Sequence, residues 1–172
     1  MYKYFFSLLL FLLIPVLVYS QGMDQGSMDA KYKKTYNEVV NILTGGKIDM
    51  LDKYMAPDFI EHDPSPAMSK KTGMERIKED FAAYHKIFPD MKAQVHSIAV
   101  TGDYLFAHLT LTGTTAEPYM GMPANYKMTM NQIDLIRFKG DKMVEHWGFT
   151  SNDDMMKMMQ QDKPMKEGMD HK

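Results

Sequence analysis

Hydrophobic residues fall into two regimes along the chain, a helical spacing in the first half and a strand spacing in the second. Tyr32, Tyr36, Val39, Val40 and Leu43 recur at the interval of one buried helical stripe, and Gly45-Gly46 ends it. A second short helix is expected over Lys47 to Met55, with Ile48, Leu51 and Met55 on one side. Phe59 to Pro64 reads as a short extended segment closed by prolines. Thr72 followed by Glu75 matches a capping box, and Met74, Ile77, Phe81, Tyr84 and Phe88 line one face of the helix it opens. Beyond Pro89-Asp90 the period changes to two. Strands are expected over Ala93 to Val100, Tyr104 to Thr112, Lys127 to Phe138 and Met143 to Thr150, with residues 113–126 as a Gly- and Pro-containing loop. Helices first and antiparallel strands afterwards predict an α+β domain, about three helices packed on one face of a curved sheet. The hollow such a sheet leaves is a natural ligand pocket.

The amino terminus stands outside this pattern. Phe5 to Val18 is an almost unbroken apolar run behind Lys3, and Val18-Tyr19-Ser20 offers compact residues where a signal peptidase cuts. Residues 1–20 are therefore expected to be a signal peptide, 21–30 a polar leader, 31–160 the domain and 161–172 a Met-containing flexible tail. The expected location is secreted or periplasmic, without membrane attachment after cleavage. The chain has no cysteine, which excludes thiol nucleophiles, zinc–thiolate sites and iron–sulfur clusters. Its formal net charge of −2, without a basic stripe, argues against nucleic acid as a partner. Nineteen methionines are many for 172 residues. Thioethers suit Cu(I), so a copper-handling tail around Met155 to Met169 is one reading; gap-filling hydrophobes in a final helix is the plainer one.

Five segments in order carry a resemblance. Phe59-Ile60-Glu61-His62-Asp63-Pro64, Phe88-Pro89-Asp90, Thr110-Leu111-Thr112-Gly113-Thr114, Gly121-Met122-Pro123-Ala124, and Ile133 to Phe138 leading to Glu145-His146-Trp147 resemble the motifs of SnoaL-like polyketide (ester) cyclases. The resemblance implies the cone-shaped nuclear transport factor 2-like fold, often a homodimer through its sheet, and acid/base ring closure without metal or cofactor. It also implies a catalytic aspartate four residues after the Trp of the Glu-His-Trp motif; that position is Ser151 here. The family's usual Arg and His are replaced by His108 and Thr115.

Candidate chemistry then rests on a few polar residues. His62-Asp63 is a candidate pocket-edge base with a neighbouring carboxylate, or else a loop-capping pair. His108 alternates with the Leu105/Ala107/Leu109/Leu111 stripe and points inward only if that stripe packs outside the pocket. Asp134 and Arg137 occupy opposite faces of one strand, Asp134 as a proton-shuttling carboxylate and Arg137 as an oxyanion anchor. Trp147 and Phe149 are expected to face inward with Ser151, His146 to be structural, and Tyr84 and Phe88 to complete the substrate-binding wall. Two functions follow: a cofactor-independent enzyme acting on a small apolar carbonyl compound or ester, or a non-catalytic module binding such a ligand.

Overall fold

The computed structural model describes residues 14–63, 69–154 and 156, with side chains from residue 25 onward. The tail's methionines other than Met156, and with them the copper reading, lie outside the described residues. Helix α1 spans Ile14–Thr44 and crosses both the expected cleavage position and the polar leader without a break. Among the described residues no helix is long and apolar enough to cross a membrane. A 3₁₀ helix, Ile48–Lys53, follows where a short helix is expected, and it buries only Leu51 fully. Strand β1 is Met55–Glu61 and helix α2 is Gly73–Ile87. Strands β2 (Lys92–Thr101), β3 (Tyr104–Thr114), β4 (Lys127–Lys139) and β5 (Lys142–Thr150) fall where the period of two puts them.

The five strands form one sheet in the order β1-β5-β4-β3-β2. β1 runs parallel to β5, and the other neighbours are antiparallel. The register shifts between Val95 and Ser97 on β2, between Arg137 and Phe138 on β4, and within β1. Such bulges bend a strand and deepen its twist, which curves the sheet around the helices. Phe138 pairs with Met143 and Arg137 with Glu145, so Val144 is an extra residue on β5 that reverses the alternation beyond it.

The face bearing Leu105, Ala107 and Leu109 is the buried one, covered by Tyr32, Tyr36, Val39 and Ile42 of α1 and by Met74 and Ile77 of α2. Tyr32 stacks on Phe138 with ring centroids 4.0 Å apart. A second cluster joins Ile87 and Phe88 to Met122 and Met128. It is tied to the long loop by Thr115, whose hydroxyl donates to the Pro123 carbonyl and accepts from the Tyr126 amide. Thr115 thus seats the loop.

The start of α2 departs from expectation. Thr72 occupies the N-cap position with extended backbone, yet its side chain makes no capping bond. Glu75 pairs with Lys78 instead. The entry is set by Gly73, at φ +63°, where a Cβ would come within 2.3 Å of the Pro57 carbonyl oxygen. Only glycine combines that conformation with so close an approach.

Candidate functional site

Between the buried sheet face and the helices lies a cavity of about 110 Å³. Its walls are apolar side chains, among them Val39 and Leu43 of α1, Phe59 of β1, Phe81 of α2 and Leu109 and Leu111 of β3. One end is polar, built from Tyr36, Glu61, Gln132, Asp134 and His146.

Asp134 is the centre of that end. It pairs across the sheet with Ala107 on one side and Gly148 on the other, and so shares the buried face. Its Oδ2 accepts from the Tyr36 hydroxyl at 2.7 Å, and its Oδ1 from Gln132 Nε2 at 2.5 Å. His146 Nε2 stands 3.2 Å from the same Oδ1, while His146 Nδ1 lies 2.8 Å from Glu61 Oε2. Glu61 reaches His146 because the two are register partners of β1 and β5. Among the described residues no buried side-chain nitrogen or oxygen lacks a partner. A buried polar group network satisfied in this way is rigid, because every alternative orientation strands a donor or acceptor in apolar surroundings.

Both ring nitrogens of His146 face carboxylates, an arrangement that only the doubly protonated imidazolium satisfies with two donated bonds. Burial alone would lower its pKa; the hydrogen bonds and charges of Asp134 and Glu61 outweigh burial and push it up to about 10. The Tyr36 hydroxyl is driven the other way from reactivity. Burial, then the Asp134 charge and hydrogen bond, raise its pKa well above the usual phenol range, so it stays a donor. The polar end therefore presents two fixed donors, Tyr36 Oη–H and His146 Nε2–H, directed at one carboxylate.

Of the sequence candidates, Asp134 alone of the four acid/base residues reaches the cavity. His62, His108 and Arg137 lie on the opposite sheet face. His62 stacks on Trp147, centroids 4.3 Å apart and nearly coplanar, and its Nε2 sits 2.9 Å from Glu145 Oε2. Arg137 pairs with the other oxygen of Glu145. His108 is exposed, its ring 4.8 Å from that of His96. Trp147 and Phe149 also face outward, Phe149 with 55% of its surface exposed. The reason is Val144: the extra residue reverses the phase of β5 and turns His146 inward. Ser151 is exposed past the end of β5, where its hydroxyl accepts the Asp154 amide and caps the turn that follows. Tyr84 and Phe88 join the second cluster, each edge-on to Tyr119, and do not line the cavity.

Tyr36, Glu61, Gln132 and His146 were not singled out as site residues by sequence reasoning. Tyr36 sits in a hydrophobic stripe and is indistinguishable there from a core tyrosine. Glu61 and His146 do lie inside the motifs quoted above, and the pairing of β1 with β5 is what brings them together.

A five-stranded curved sheet with helices over one face and a part-polar cavity between them defines a nuclear transport factor 2-like fold. The sequence profile of the SnoaL-like polyketide cyclases matches residues 32–162, and the chain belongs to that family. No curated protein matches the chain. Solved structures do. TsrD from Streptomyces laurentii is 17% identical over 77% of this chain and 96% of its own, with a TM-score of 0.66. A protein from Acidithiobacillus ferrooxidans assigned as a polyketide cyclase is 23% identical over 77% and 96%, with a TM-score of 0.67. IdmH from Streptomyces antibioticus, likewise assigned, is 25% identical over 74% and 96%, with a TM-score of 0.64.

Proposed function

We propose that this chain binds a small, mainly apolar carbonyl or ester compound in the inner cavity and enolises it by acid/base chemistry without a cofactor. The observation that carries the reading is the single polar end of an otherwise apolar cavity. A ligand oxygen seated there would compete with Asp134 for the Tyr36 hydroxyl and the His146 Nε2–H, donors whose bonds strengthen as negative charge builds on oxygen. Membership of the cyclase family supports the same reaction class. Exchange of ligand α-protons for solvent deuterium tests it, with 1-tetralone as probe. The wild type should catalyse exchange, and His146→Gln should slow it about 100-fold, in the range of one lost transition-state donor. Equal rates with and without protein would refute enolisation.

A non-catalytic binding module is the second reading. Ser151 at the family's aspartate position favours it, as does the full set of hydrogen bonds already held by Asp134. Under that reading 1-tetralone binds and no proton exchanges.

Two further features belong to the proposal. The apolar run of residues 5–18 supports export with cleavage after Ser20, which amino-terminal sequencing of the secreted protein would check. Exposed Tyr104, Phe106, Ile133 and Phe149 on the outer sheet face support a homodimer through that face.

A further inference from the structure

We infer that His96 and His108, on the outer face of the sheet, form a binding site for a divalent cation of the borderline class that imidazole prefers, Cu(II) foremost. The pair stands apart from the inner cavity and shares no residue with it. On β2 and β3 the register runs from Val95–Leu109 to Ser97–His108, so two residues, His96 and Ser97, face the single residue His108. Such a bulge leaves its extra residue outside the ladder and re-aims that side chain. Both imidazoles are exposed on one face, with ring centroids 4.8 Å apart and planes tilted by 40°. Ligand nitrogens sit about 2 Å from such an ion, so two on one ion are at most about 4 Å apart. Exposed rings at this spacing reach that span by rotating about their own side-chain bonds.

The surroundings of His96 fix which nitrogen binds. Its Nε2 lies 2.7 Å from Thr110 Oγ1, and the Thr110 hydroxyl spends its hydrogen on Asn131 Oδ1 at 3.0 Å. Thr110 can therefore only accept from His96, which puts the ring proton on Nε2 and the lone pair on Nδ1. Asn131 is held in turn. Its backbone amide donates to Asp154 Oδ2 at 3.0 Å and its side-chain amide to the same oxygen at 3.4 Å, which turns Oδ1 towards Thr110. Metal-ligating histidines are held this way, the second ring N–H donated to an outer oxygen that sets tautomer and ring orientation. His108 spends neither ring nitrogen on a hydrogen bond to any described residue, so either can turn to the ion.

The donor set selects the ion. Two neutral imidazoles with water in the remaining positions, in a chain without cysteine, suit a tetragonal nitrogen–oxygen ion rather than a tetrahedral thiolate one. Affinity among the first-row divalent ions then peaks at Cu(II). Among the described residues no group of three or more His, Asp or Glu side chains gathers to enclose a metal. The site is therefore an open, two-ligand one that keeps water on the ion, and it clips β2, an edge strand of the sheet, to β3.

The test is a titration of the untagged protein with copper(II) chloride near neutral pH in a non-coordinating buffer, with pulsed EPR counting the imidazoles on the ion. The tightest site of the wild type should hold Cu(II) through two equatorial imidazoles. His96→Gln and His108→Gln should each leave a single imidazole and weaken that site at least about 100-fold, the lower end of what linking two donors adds. Thr110→Val keeps both imidazoles and removes only the outer oxygen; it should weaken binding about 10- to 100-fold. An unchanged affinity in His108→Gln would overturn the site. A wild type that takes up no copper, or whose tightest-bound copper carries fewer than two imidazoles, would overturn it equally.

Discussion

His146 sets the electrostatics of the site, since one imidazole answers two carboxylates, Asp134 and Glu61. Its pKa rises from 6.5 in the unfolded chain to about 10 in the fold. The folded state thus holds the proton more tightly. The stabilisation is fully present below pH ~6.5 and is lost as pH climbs through ~10, because above both values neither state binds the proton. Its size is on the order of a few kcal/mol. Thermal melts between pH 7 and pH 10.5 should show Tm falling steadily for the wild type. The same series on His146→Gln should fall less, and parallel curves would show that His146 is not the titrating group. Tyr36→Phe removes one donor from a buried carboxylate. It should cost about 1.5–3 kcal/mol in denaturant unfolding, the range for hydrogen bonds to charged groups.

At the level of elements, the helix entry at Gly73 and the bulge at Val144 determine where the site ends up. Thr72 makes no capping bond, so Thr72→Ala should cost less than about 0.5 kcal/mol, below the ~1 kcal/mol typical of a working N-cap. Gly73→Ala should cost clearly more than 1 kcal/mol, since it meets both the strained φ and the Pro57 carbonyl. Urea unfolding of the pair checks the order, and a larger loss for Thr72→Ala would reverse the account of this helix start. The same elements explain what was legible in the sequence. Strand limits and turns follow from periodicity, whereas which face of β3 is buried does not: alternation alone leaves His108 and the Leu105/Ala107/Leu109 stripe as equal candidates, and the packing of the helices puts the stripe inside, with Asp134 beside Ala107. The β5 residues could not be placed by alternation either. Simple alternation expects the large aromatic residues Trp147 and Phe149 in the core, and one inserted residue, invisible to a period-two pattern, exchanges them for His146 and Gly148. Tyr36 escaped for a different reason: its hydroxyl has a partner 98 positions away, which no local window reports.

For the whole molecule, the sheet divides two kinds of surface. Its inner face carries the cavity, and its outer face carries Tyr104, Phe106, Ile133 and Phe149, each at least 40% exposed. The outer face also holds the His62–Trp147 stack and the Glu145 ion pairs, which are polar and aromatic contacts suited to an interface rather than to a sealed ligand site. Light scattering should give the mass of a dimer, and Phe106→Glu should shift it to the monomer while leaving 1-tetralone binding intact. A dimer unaffected by Phe106→Glu would move the interface elsewhere. The division of labour between the faces is tested most directly by a crystal structure with 1-tetralone bound. The ring should lie among Val39, Phe81 and Leu111, with the carbonyl oxygen within hydrogen-bonding distance of Tyr36 and His146. Electron density for the ligand against Trp147 on the outer face, with the inner cavity empty, would contradict the account.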